Sequence, residues 1–234
     1  YNSRMERYQV AARPMAVSGE SANDILWVTY RWMSVGLAIT GLVAWLVAHS
    51  PGAVSVFVDN RIVFYGLMFA QIGLVLAFSA SVTRVSTAAA AAMFFGYAAM
   101  TGITFSVLFL VFTAASIANT FFITAGTFAG LSVFGAVTKR DLSVVGRFAM
   151  FALIGLIIAS VVNIFLSSSA LMWLTTYAGI LIFAALTAYD TQQLKDMYRS
   201  EGYARNLALR GALKLYLDFI NMFLFLLQLF GRRR

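Results

Sequence analysis

Seven apolar stretches of about 20 residues, parted by short polar breaks, recur near residues 27–49, 62–82, 87–111, 116–137, 146–167, 170–192 and 207–230. A helix of 20 residues is about 30 Å long, the thickness of a bilayer's hydrocarbon core. In hydrocarbon each backbone N–H and C=O must find its partner within the segment or in a closed barrel, and apolar runs this long select the helix. The expected fold is an all-α membrane protein with seven transmembrane helices. Composition agrees: 11% of residues are charged, against roughly 25% for a soluble domain that must cover itself with charge.

Three divisions follow: a polar, basic N-terminal tail over 1–26 containing Arg4, Arg7 and Arg13, a single transmembrane domain over 27–231, and a basic C-terminal tail over 232–234. The first apolar stretch is too long for a signal-peptide core and follows a polar leader without an obvious cleavage site, so it is expected to be retained as a helix. The chain has no cysteine, which removes disulfides, thiolate metal sites and cysteine nucleophiles. The single histidine, His49, closes the first span and is not expected to be a ligand.

The net charge of +8 is dispersed over loops instead of gathered on one face, so a nucleic-acid partner is not expected; the lipid bilayer is. Basic residues mark alternate loops: Arg84 after the second span, Lys139, Arg140 and Arg147 after the fourth, and Lys195, Arg199, Arg205 and Arg210 around the sixth break. By the positive-inside rule, these loops and the N-terminus are cytoplasmic. Seven spans then put the C-terminus outside, in tension with Arg232, Arg233 and Arg234; either the last span is re-entrant or the early loops set the orientation. Trp27, Trp32, Trp45 and Trp173 fall near span ends, as interfacial aromatics do.

Two of the nine acidic residues lie inside apolar spans: Asp190 in the sixth and Asp218 in the seventh. A charge at membrane depth costs at least about 2.5–3.5 kcal/mol, so such residues face the protein interior and have partners. Asp190 precedes Lys195 by five residues and Asp218 follows Lys214 by four, which sets each roughly 6–8 Å inside the same membrane face. Their helices are sequential and antiparallel, so the carboxyls can meet, and Arg84 at the same level is the natural counter-ion. Lys214, Asp218, Asn221 and Gln228 form one polar stripe on the last helix, and Thr187 shares a face with Asp190. Two carboxyls in contact resist ionising together and titrate as a unit. With a competing cation nearby they are the physical basis of a pH-dependent switch. The same residues also serve as polar glue between helices.

Ala188–Tyr198 (AYDTQQLKDMY) and Leu215–Phe223 (LYLDFINMF) resemble the signatures of the transmembrane Bax inhibitor motif family. Thr101–Thr104 (TGIT), Thr113–Phe121 (TAASIANTF) and Thr138–Ser143 (TKRDLS) resemble its bacterial inner-membrane members, of the YbhL and YccA type. The resemblance implies seven helices with the last enclosed by the other six. It further implies that Asp190 and Asp218 form a pH-sensing dyad in a calcium leak pathway, with Arg84 as the arginine that bridges to the sixth-helix aspartate. Ca2+ is then the transported ion, held weakly by the two carboxylates, since a tight site needs six to eight oxygen ligands. The expected location is the bacterial inner membrane, and no cofactor is implied.

Three other functions compete. The chain could be a non-conducting regulator that binds other membrane proteins, such as a quality-control protease. Tyr189-Asp190 matches half of an intramembrane aspartyl protease, but Tyr216-Leu217-Asp218 lacks the glycines of the other half, so an enzyme is not expected. Lys214 lies too near its helix end for a retinal site.

Overall fold

In a computed structural model, which describes residues 22–201 and 206–234, the chain forms eight helices. They are α1 (Ala22–Ala48), α2 (Pro51–Phe57), α3 (Arg61–Ser81), α4 (Thr87–Val111), α5 (Ala114–Val137), α6 (Ser143–Leu166), α7 (Ser169–Glu201) and α8 (Leu207–Phe230). All but α2 are long and apolar enough to cross a membrane. No β-strand forms among the described residues. Most of the basic tail over 1–26, with Arg4, Arg7 and Arg13, lies outside the described residues, as does Arg205.

Most of the breaks are written in local chemistry. Ser50, Asn60, Ser86 and Thr113 cap α2, α3, α4 and α5 by accepting from exposed backbone N–H groups of the first turn. Pro51 opens α2 at a position where its missing N–H loses nothing. This short helix was not expected from the sequence, because seven residues leave no periodic signature. Asn163, a polar residue inside a span, turns out to finish its own helix: its Oδ1 accepts from Ser168 N at 2.9 Å.

α8 is the axis. It packs most closely on α7, then on α1 and α5, and at fewer points on α4. It faces α3 and α6 across cavities. Tyr216, Leu215, Met222 and Leu227 on α8 are almost wholly buried, against Phe94 and Phe128 of the surrounding helices. α8 is continuous from Leu207 to Phe230, so it is not re-entrant. Beyond it the tail turns back onto the α4–α5 connection, where Thr113 N donates to Arg232 O (3.1 Å) and Arg234 N to Val111 O (2.9 Å).

Beside Asp190, close packing depends on two glycines. A Cβ on Gly135 would run into the backbone carbonyl of Ala188, and one on Gly146 into the ring of Tyr189. α5 and α6 thus approach α7 directly beside Asp190.

Candidate functional site

α7 carries the sequence Tyr189-Asp190-Thr191-Gln192-Gln193, and its two glutamines do different work. Gln192 accepts from Leu142 N (2.9 Å) and donates to Arg140 O (2.9 Å), clamping the α5–α6 loop. Gln193 turns toward α8, where its Oε1 accepts from Lys214 Nζ at 2.6 Å. Two residues further, Lys195 Nζ donates to Ala136 O at 2.6 Å, at the end of α5.

Asp190 and Asp218 are both 5% exposed, and their carboxyls lie within hydrogen-bonding reach of one another. An ionised carboxylate only accepts, so that bond exists when one of the two carries a proton. Asp190 Oδ1 and Asp218 Oδ2 receive no hydrogen bond. What Asp190 has instead is an ion pair: Lys214 Nζ stands 2.7 Å from its Oδ1, without the alignment of a hydrogen bond. The ammonium also lies 5.4 Å from the centre of the Tyr189 ring, which in turn is tied to Gln193 by a 3.2 Å hydrogen bond. Three groups of α7 therefore hold one side chain of α8.

This corrects the expected counter-ion. Arg84 is exposed, in the turn between α3 and α4. That turn is docked on the start of α8 by Asn206, whose Nδ2 donates to Val82 O (2.7 Å) and Val85 O (3.1 Å). With those carbonyls held inward, the arginine points out, and Lys214 takes the role. The signal for Lys214 was present in the sequence as its place four residues before Asp218 on the same stripe.

The other two expected polar residues, Asn221 on α8 and Thr187 on α7, divide. Asn221 lines a cavity while its Nδ2 donates to Leu217 O at 2.8 Å. Thr187 is fully buried, gives its hydroxyl to Phe183 O at 2.7 Å and lines neither cavity. A buried hydroxyl link escaped the sequence altogether. Tyr216 Oη lies 2.6 Å from Thr40 Oγ1, which also donates to Ala98 O at 2.9 Å, pinning α8 to α1 and α4. Hydroxyls are too common in membrane helices to stand out as aspartates do.

Two cavities meet at the ion pair. One of about 340 Å³ lies between α3, α7 and α8, toward the end of the bundle where Arg210 and Met197 sit. The other, about 650 Å³, lies between α6, α7 and α8 and extends toward Ile164 and Phe225 at the opposite end. Asp190, Lys214 and Leu217 line both, and Asp218 and Asn221 line the second. No third acidic residue, histidine or cysteine joins the two aspartates among the described residues. Any cation held there has two carboxylates for protein charge.

Residues 22–234 match the family described as Inhibitor of apoptosis-promoting Bax1. The chain is 48% identical over 210 residues to the Inner membrane protein YbhL of Escherichia coli, covering 88% of this chain and 90% of that one. It is 46% identical over 208 residues to an uncharacterized protein of Deinococcus radiodurans, covering 88% and 89%. An uncharacterized membrane protein of Streptococcus pyogenes is 34% identical over 215 residues, covering 90% and 93%.

Proposed function

We propose that this chain, which belongs to the Bax inhibitor family, is a pH-sensitive cation leak of the bacterial inner membrane, with Ca2+ as its favoured ion. The observation that carries the reading is the meeting of two cavities at a buried carboxyl pair closed by an ammonium group. Carboxylate oxygens are what a hard divalent cation accepts. Lys214 stands where such a cation would be attracted, and its attachment to Asp190, Gln193 and Tyr189 keeps α7 and α8 together. The location rests on the YbhL relative's name and on the seven spans; the basic loops support a cytoplasmic N-terminus.

The direction of the pH response follows from the ion pair. Around Asp190 stand Asp218 and Lys214 from α8, with Tyr189 beside it on α7 and Arg210 one turn further along α8. The walls contributed by α3 and α6 carry no charge. Protonating Asp190 removes the charge that holds Lys214, so acidification loosens the attachment of α7 to α8 and raises flux.

The test is Ca2+ influx into liposomes carrying the purified protein, on the acid and alkaline sides of neutrality. Wild type should leak more on the acid side, and Asp190→Asn and Asp218→Asn should lose the pH dependence. Lys214→Met should leak at both. Influx no different from protein-free liposomes at every pH would reject the leak and favour a non-conducting regulator that acts on other membrane proteins.

A further inference from the structure

Away from the carboxyl pair, α1 and α5 run antiparallel without closing on each other. Between them lies a groove of about 800 Å³, and its floor is Phe219 of α8. Its walls are two stripes of small residues, Ser34, Ala38 and Gly41 on α1 and Ala125, Ala129 and Ser132 on α5. Facing stripes of this kind normally let two membrane helices touch. Here they stand apart, and Phe128 and Met33, both nearly buried, line the space instead.

The groove has a length and a polarity. It runs from Leu26 and Ala136 at one end to Gly41 and Phe121 at the other. That is sixteen residues on each helix, or about 22 Å, against roughly 15 Å for one leaflet's half of the hydrocarbon core. A full acyl chain fits along it. At the Ala136 end Lys195 places its ammonium 2.6 Å from the Ala136 carbonyl, and Lys139 and Arg140 are exposed just beyond. No charged residue lines the groove itself. One turn inward from Ala136, about 6 Å deeper, Ser132 is 4% exposed and its hydroxyl has no hydrogen-bond partner. A serine in a membrane helix has the carbonyl four residues back available to it; Ser132 leaves it unused.

We propose that this groove is a binding site for an anionic phospholipid from the leaflet beside the basic loops. The phosphate lies by Lys195, Lys139 and Arg140, an ester carbonyl accepts from Ser132 Oγ, and one acyl chain fills the channel between the small-residue stripes down to Phe121. The site is independent of the leak, although its floor residue, Phe219, directly follows Asp218 in the chain. Cationic head, hydroxyl one turn in and apolar channel beyond repeat the order of charge, ester and hydrocarbon in a phospholipid.

Native mass spectrometry of the full chain in mild detergent tests this, with phosphatidylglycerol and phosphatidylcholine of identical chains added as probes. One phosphatidylglycerol should be retained per chain in preference to phosphatidylcholine. Lys195→Gln should weaken that retention about fivefold, and Ser132→Ala by a similar factor for the ester-linked lipid. Ala129→Trp fills the groove from an exposed position on its wall and should abolish retention of both lipids. Equal retention of the two lipids would overturn the assignment. So would retention unchanged in all three variants, or a dimer that Ala129→Trp dissociates, which would make a second copy the occupant.

Discussion

α6 and α8 are both 24-residue membrane helices, yet they occupy opposite environments. In the most apolar 18-residue stretch of α6, 11% of the residues are buried inside the protein; in that of α8 the share is 56%. α6 is the more apolar of the two, and α8 carries Lys214, Asp218, Asn221 and Gln228. In water the ranking would be reversed. Lipid is as apolar as leucine, so no hydrophobic force draws α6 inward, and what settles a helix at the centre is polar groups that must find partners. The least hydrophobic surface goes inside because only the inside can satisfy it.

Breaking this comparison most severely means putting a charge on the outer helix. Ile154→Asp sits on the lipid-facing side of α6 and should cost about 2.5–3.5 kcal/mol, read as a sharp loss of membrane-inserted protein. Asp218 is tolerated because it lies inside the bundle, 5% exposed, beside Asp190, with which it can share a proton.

Packing gives the next contrast, within one helix. Gly135→Ala on α5 drives a methyl into the Ala188 backbone and should destabilise by about 1–3 kcal/mol. Gly130→Ala, on the same helix with open space around it, should be neutral or stabilise by up to about 1 kcal/mol. Thermal unfolding in detergent, run on the pair, separates inner from outer face; equal shifts would dissolve the distinction.

Tyr216→Phe removes the hydroxyl that joins α8 to Thr40 and should lower stability by about 1 kcal/mol, leaving the pH dependence of any flux in place. The smallest effect belongs to Arg84→Gln. With its side chain exposed, neither the unfolding temperature nor the pH response should move, whereas Lys214→Gln should change both. An Arg84 variant that abolished pH sensing would return the counter-ion role to the arginine.

How much of this could be read from the chain follows the same physics. The spans were legible because bilayer thickness dictates their length; the expected 62–82, 87–111 and 207–230 differ from α3, α4 and α8 by no more than a residue at either end. Asp190 and Asp218 were legible because a charge in an apolar run has few places to go. The counter-ion was not, because Arg84 and Lys214 are cations at similar depth. In the fold Lys214 reaches Asp190 and Gln193, whereas Arg84 is exposed in the α3–α4 turn that Asn206 docks on α8. The far end of α7 was also missed: the expected span stops at 192, but the helix continues to Glu201, past the point where lipid dictates composition. Tyr216–Thr40 and the α1–α5 groove depend on how helices rotate against each other, which no single helix encodes.

The position of α8 at the axis also bears on biosynthesis. Chains emerge from the ribosome N-terminus first, so the six other spans are threaded into the bilayer before the helix they surround has been made. Until then Tyr216, Phe219 and Asp218 are missing from the middle of the assembly, and Asp190 waits in lipid without Lys214. Early quality control therefore meets a half-built bundle bearing one unpaired acid. A nascent chain stalled before Leu207 should be recognised and degraded, while one that completes α8 escapes in a single step.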